Sequence, residues 1–348
     1  MLHRRTLEKA AKPGLRFQGW KALPLGSKIA VIVLLAIVLM GLLAPLIATY
    51  NPSTTGLAEG TTYQEGIGEI TTVTVEPNGE QLFGTDKTGR DVFSRVVYGS
   101  RVSIVVGLSA TALALAVAVV LGAIAATARK WVSEVLMRVL DIVMSFPGIA
   151  LAAVLVSALS QSLPMLPVII VSIAILYIPQ LTRVVRANIL SQFGEDYVAA
   201  SKVMGASVPW ILAKHVARNC IAPIMVFATV LVADAIVFEA SLSFIGAGIK
   251  SVNTPTWGNM LSEGKELLLQ GAWWPTFFPG LMILITTLCL NVLSEGLTDA
   301  MASPRIRRKV DVQADEEAME AVETAKAWDE AGAAVEAHAS VPAGAAKG

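Results

Sequence analysis

Four carboxylates stand where charge is expensive. Asp141, Asp234, Glu239 and Glu295 fall within or at the ends of long uncharged runs. A charged side chain at bilayer mid-depth costs at least about 2.5–3.5 kcal/mol, so each must face protein or water. Asp141 follows Arg138 by three residues, one helical turn, which predicts a local ion pair at the inner face. Asp234 and Glu239 lie deeper, with Ser241 close by. They fit two roles, the polar lining of a path through the membrane or hydrogen-bonded carboxylates between helices. No other constellation assembles. GxxxxGK[ST] is absent, so there is no phosphate-cradling loop. His3, His215 and His338 all lie outside the apolar runs, which disfavours an intramembrane Ser–His protease or a His-ligated metalloenzyme. Cys220 and Cys289, the only cysteines, suit packing rather than a disulfide or a metal. No catalytic residue, metal ligand or nucleic-acid surface is predicted.

A second segment is built for contact rather than chemistry. Residues 193–223 read FGEDYVAASKVMGASVPWILAKHVARNCIAP. Glu195 and Asp196 favour a helix start, and the helix continues through Tyr197 to Met204. Gly205 suits the left-handed residue past a helix end. Ser207 is an N-cap candidate, and Pro209 falls in the first turn of the next helix. Two short helices should therefore meet at Gly205–Ala206, with Ala199, Ala200 and Ser201 leaving a small-residue face that a bulky partner can approach. Two readings fit this segment, a docking corner or an amphipathic loop resting on the membrane.

The elements that must position these groups are membrane spans. Of 348 residues, 54% are hydrophobic and 16% charged, and mean hydropathy is +0.63, a balance unusual for a soluble domain. Residues 29–50 and 102–128 can each cross a ~30 Å hydrocarbon core. Residues 142–182 are too long for one crossing and break near Pro164. Two further spans are seeded at 219–233 and 267–294. About six transmembrane helices result, at 29–50, 102–128, 134–160, 166–188, 220–246 and 276–300. The first is read as retained rather than as a cleaved signal, because a long basic leader, 1–28, precedes it. Phe17 and Trp20 in that leader fit an interfacial anchor or a disordered arm equally.

Charge orients the bundle. Arg4, Arg5, Lys9, Lys12, Arg16, Lys21 and Lys28 stand in the leader, and Arg129 and Lys130 between spans two and three. Arg183, Arg186, Lys202, Lys214 and Arg218 lie between spans four and five, and Arg305, Arg307, Arg308 and Lys309 after span six. With six spans all four clusters share one side, which predicts both termini in the cytoplasm. Residues 51–100 are then extracytoplasmic, with alternation near residues 71–75 that fits a small hairpin or irregular cap. The acidic, Ala-rich tail, 301–348, has little apolar surface to bury and is expected to be disordered.

Residues 193–218 resemble the coupling loop, or EAA motif, of ABC-importer permeases. Ala199, Ala200, Ser201 and Gly205 take the places of its Glu-Ala-Ala and Gly, and Val216 takes that of its Ile. The chain departs from the pattern at Ala199, where the family has Glu, and at Ala217–Arg218, where it has Leu-Pro. Three more stretches are similar to the C-type subunit of the peptide and nickel permeases, in the same order and similar spacing: GTDKTGRDVFSRVVYGSRVS (84–103), RVLDIVMSFPGIALA (138–152) and FEASLSFIGAGIKSVNTPTWGNMLSEGKE (238–266). Together they cover most of 84–300.

The resemblance implies an all-α membrane protein with a type I ABC importer (MetI-like) permease fold over 101–300. It implies a multi-pass protein of a bacterial cytoplasmic membrane that carries short peptides, or else nickel or another small solute, by alternating access. The partners implied are a sister permease, two ATPase subunits that bind ATP and Mg, and an extracytoplasmic substrate-binding protein, with membrane lipids around. This chain itself would hold no cofactor. The ATPase-coupling residues would be Tyr197, Ala199, Ala200, Ser201, Gly205, Ala206, Ser207 and His215. An ion-coupled secondary transporter using Asp234 or Glu239 is the rival from another class. Inverted repeats would favour it, and none is visible.

Overall fold

The computed structural model describes residues 23–64, 68–249 and 254–301. Phe17, Trp20, His3, His338, the basic cluster after span six and the tail lie outside the described residues.

The apolar runs become helices. In chain order these are α1 Leu25–Leu42, α2 Ala44–Ile47, α3 Val92–Thr127, α4 Lys130–Met144, α5 Gly148–Leu159, α6 Met165–Phe193, α7 Asp196–Val203, α8 Val208–Ile211, α9 Ala217–Phe244, α10 Trp257–Leu268 and α11 Trp274–Met301. One π-helical turn, Leu212–Val216, joins α8 to α9 without a break. Among the described residues, five helical segments are long and apolar enough to cross a membrane, with α8 to α9 counted as one, and the bent pair α4–α5 makes a sixth if it is one span. Where a single span was expected over 134–160, α4 and α5 meet at 89°. Ser145–Pro147 interrupts the ladder, since proline has no N–H to donate and clashes with the preceding turn. At 36 residues, α3 is about 54 Å long, well beyond the hydrocarbon thickness, so several of its turns project from the membrane.

The packing rests on small residues. Ala110, Ala114, Ala118 and Gly122 recur every fourth position of α3, and the three alanines are fully buried. A Cβ on Gly122 would lie 2.6 Å from the Cγ1 of Val185 on α6. Without side-chain bulk between them the two backbones can approach, which is how helices associate where lipid supplies no hydrophobic drive. The Arg186 Nε reaches the Ala125 carbonyl, 3.3 Å away, placing a cation at the C-terminal end of α3. Nearby, Ser294 Oγ of α11 donates to the Val226 carbonyl of α9 at 3.1 Å, and Ser27 Oγ of α1 donates to the Val292 carbonyl at 3.0 Å. The start of α1, the end of α11 and the start of α9 therefore share one end of the bundle.

The opposite end carries a cap. A two-stranded antiparallel hairpin, β1 Gly60–Gln64 and β2 Gly68–Thr72, pairs Gly60 with Thr72 and Thr62 with Ile70. It is the one departure from all-α structure among the described residues. Behind it residues 84–91 fold onto α3 and α10 through buried charge. Asp86 Oδ2 accepts from Arg90 Nε at 2.7 Å and also pairs with Arg95 Nη1. Glu263 of α10 accepts from Arg90 Nη2 at 2.6 Å and from Arg95 Nη1 at 2.8 Å. Burial pushes the Asp86 carboxyl up. The Arg95 and Arg90 guanidiniums and the N–H groups of Thr88 and Arg90 outweigh that and hold it below its ordinary 3.8. A carboxyl lowered by folding stabilises the folded form above its unfolded pKa, and that contribution fades as pH falls toward the folded value. The cap should therefore stay seated at pH 5 and loosen only below 3.8. Fluorescence of Trp257 and Trp274, whose indoles are pinned at Val96 and Thr85, reads this in detergent. Loss of the cap signal already at pH 5 would contradict it.

Candidate functional site

At the end shared by α1 and α11, the chain turns through the α7–α8 corner. Glu195 precedes α7, and Asp196 in its first turn favours the helix N-terminus. Gly205 has φ +82°, the left-handed conformation that a glycine adopts without Cβ strain. Ser207 stands at the N-cap of α8, but its side chain makes no capping bond. Pro209 in the first turn presets the φ that the helix needs. The corner is anchored from below. Val198 and Ile211 are fully buried in one apolar cluster with Val185, Ile189 and Val216. Tyr197 donates from its hydroxyl to Gln192 at 2.8 Å and accepts from Asn219 Nδ2 at 3.2 Å. That bond ties α7 to α6 and α9.

The expected docking residues divide. Ala199, Ala200, Gly205 and Ser207 are exposed, and Ala206 is half-buried. Ser201 spends its hydroxyl on the Tyr197 carbonyl at 2.8 Å. Tyr197 and His215 are half-buried: His215 packs edge-on against Trp210, ring centres 5.0 Å apart, and against Tyr197 at 6.3 Å. Ser201, Gly205, Ala206, Ser207, Trp210 and His215 together line an open hollow of about 470 Å³. Its rim holds residues that the sequence reading passed over. Val203 and Met204 are 89% and 86% exposed, and Trp210 and Val208 are exposed beside them. Apolar groups this bare, on a surface with small neighbours, fit a surface that meets another protein or the membrane. The usable signal was Val-Met directly before the glycine, at a helix end with no facing element to bury it.

The intramembrane carboxylates separate as well. Glu239 is fully buried, and its Oε1 accepts from Ser243 Oγ at 2.8 Å and from Thr256 Oγ1 at 3.0 Å. Thr256 caps α10 in a reciprocal capping box with Asn259. Glu239 thus fastens the start of α10 onto α9. Asp234 faces out of the chain, and Ser241, half-buried and two turns on, shares its side of α9 while bonding back to the Val237 carbonyl. The expected Arg138–Asp141 pair does not form. Asp141 pairs instead with Arg183 of α6, and Arg138 is exposed. A cation reaching across from a packed neighbouring helix joins α4 to α6, whereas the local pair would leave Arg183 without its carboxylate.

Residues 118–308 match the family described as binding-protein-dependent transport system inner membrane component. The chain is 36% identical over 281 residues to a putative peptide transport system permease protein of Brucella suis, covering 80% of this chain and 88% of that one. This chain belongs to that family. A di/tripeptide transport system permease protein of Pseudomonas aeruginosa is 33% identical over 285 residues, covering 81% of this chain and 89% of that one. The dipeptide permease of Haemophilus influenzae is 34% identical over 286 residues, covering 81% and 92%. A solved inward-facing methionine ABC transporter is similar to 59% of this chain and 96% of its own, at 16% identity and TM-score 0.49. As an inner membrane component, the chain is a multi-pass membrane protein and the permease subunit of an ABC importer. Such a system implies ATPase and substrate-binding partners.

Proposed function

We propose that this subunit pairs with a related sister permease to form the path by which short peptides cross a bacterial cytoplasmic membrane. The observation that carries it is that its relatives are named as peptide permeases, each covering about four-fifths of the chain at 33–36% identity. They favour peptide over nickel as cargo. Two ATPase subunits, which bind the ATP and Mg that this chain does not, dock at the α7–α8 corner of each permease. The binding protein delivers cargo at the cap. Both termini lie in the cytoplasm with the corner, in keeping with Arg129, Lys130, Arg183, Arg186 and Lys202 near that end. ATP binding draws the ATPases together, displaces the corners and tilts the spans between inward- and outward-facing states.

The test is reconstitution. Co-expressed with its sister permease, both ATPases and the binding protein, the chain should co-purify with the ATPases. In proteoliposomes it should take up a labelled tripeptide only with ATP. Uptake driven by an ion gradient without ATP, or a chain that transports as a homodimer, would overturn the proposal.

A further inference from the structure

Asp234 is the one group in the membrane-spanning part of α9 that carries charge out of the chain. It lies ten residues before the end of α9, about 15 Å along the helix axis. Among the described residues it has no hydrogen bond and no ion pair. Lipid would not tolerate such a carboxylate at this depth, so it faces water or another protein.

Its surroundings are aromatic and unfinished. Phe238, one turn on and on the same side of α9, packs edge-on with Tyr177 of α6, ring centres 6.4 Å apart. Gly148, the first residue of α5 after the 89° break, lies against the Phe238 ring, where an added Cβ would make ordinary contact at 3.6 Å. Tyr177 is 7% exposed, yet its hydroxyl has no partner. It is within electrostatic reach of Asp234 without being bonded to it. A carboxylate and two aromatic rings, Phe238 and the unpaired phenol Tyr177, thus converge beside a broken helix. That set suits an organic ammonium, which gains from a carboxylate and from ring faces together. It suits a metal ion poorly, because no group of three His, Cys, Asp or Glu converges among the described residues and divalent cations need several hard donors.

We propose that Asp234, with the Tyr177 hydroxyl and the Phe238 ring, receives the protonated amino terminus of the peptide as it passes through the transporter. The proposal rests on the peptide reading above. Asp234 supplies the charge, Tyr177 a hydrogen-bonding oxygen and Phe238 a ring beside the first residue. The site needs no bond-making step, and the ammonium leaves when the spans tilt.

The complete transporter in proteoliposomes tests it, using a labelled tripeptide with a free amine and its N-acetylated form. The binding protein is unchanged throughout, so its own affinity for each peptide is a constant. Asp234→Asn should lower free-amine uptake about tenfold, the scale of one charge-assisted contact. Asp234→Glu should restore most of it, and Tyr177→Phe should give a smaller loss. ATPase activation by the loaded binding protein and the amount of assembled complex should not change. The loss should be several-fold smaller for the acetylated peptide. Unchanged uptake by Asp234→Asn overturns the site, as do equal losses for both peptides. A fall in assembled complex overturns it too, since Asp234 would then be pairing with a cation of the sister subunit. A wild-type transporter that moves no peptide removes the peptide reading itself, and the site with it.

Discussion

Gly205→Val should abolish ATP-dependent uptake and ATPase co-purification while the protein still inserts at normal levels. No atom lies within 4 Å of where a Cβ would stand, so crowding is not the reason. The backbone is. At φ +82°, a residue with a Cβ costs about 1–2 kcal/mol, and β-branching makes the conformation costlier still. Val198 and Ile211 hold α7 and α8 in the apolar cluster beneath. Strain is relieved most easily at the exposed tip, which moves the bare side chains of Val203 and Met204. Gly205→Ala should be milder. Ala200→Arg, at an exposed position that folding does not need, should act like the valine by thickening the docking face. If the corner only rested on lipid, an added arginine would be neutral or helpful beside anionic headgroups. Uptake and co-purification at matched membrane levels decide, and normal values for both variants would remove the docking role.

The largest loss of stability should come from Arg95→Ala. Arg95 is 1% exposed and shares Asp86 and Glu263 with Arg90. Removing one partner of a buried ionic group leaves charge uncompensated in a low-dielectric site, typically at about 3–5 kcal/mol. The damage should centre where residues 84–91 and α10 meet α3, releasing the cap and lowering the unfolding midpoint in detergent. Lys87→Ala is the control. Its pair with Glu266 spans 3.7 Å between largely exposed side chains and should be worth at most about 1 kcal/mol. A shift for Arg95→Ala no larger than for Lys87→Ala would show that the cluster does not lock the cap.

Much of this was legible in the chain because it is local. Uncharged runs set the spans, and a glycine after a short helix set the corner, since both signals lie within about twenty residues. What could not be read depends on distant partners. Asp141 has Arg138 one turn away, but the residue that claims it is 42 positions on. Asp86, Arg90 and Arg95 sit in one stretch, yet their purpose is visible only once Glu263 arrives from 168 positions beyond Arg95. Asp234 and Glu239 differ by five residues, about 140° around a helix. The docking of α10 decides which of the two is buried. The expected single span over 134–160 is broken at Ser145–Pro147, and its 89° angle could not be read from the chain.

The π turn between α8 and α9 is a joint. Its bonds close one residue later than those of an α-helix, so Leu212–Val216 winds one extra residue into an otherwise continuous rod from Val208 to Phe244. A π turn is wider than an α turn, so it takes up that residue locally. The corner and the Asp234 side of α9 are therefore the handle and blade of one crank, with the widened turn as the joint between them. Trimming that turn by one position would close it to an ordinary α turn and displace His215 and Val216, which pack against the corner. The rod would then lose its one widened joint, at the place where a push on the corner enters the span.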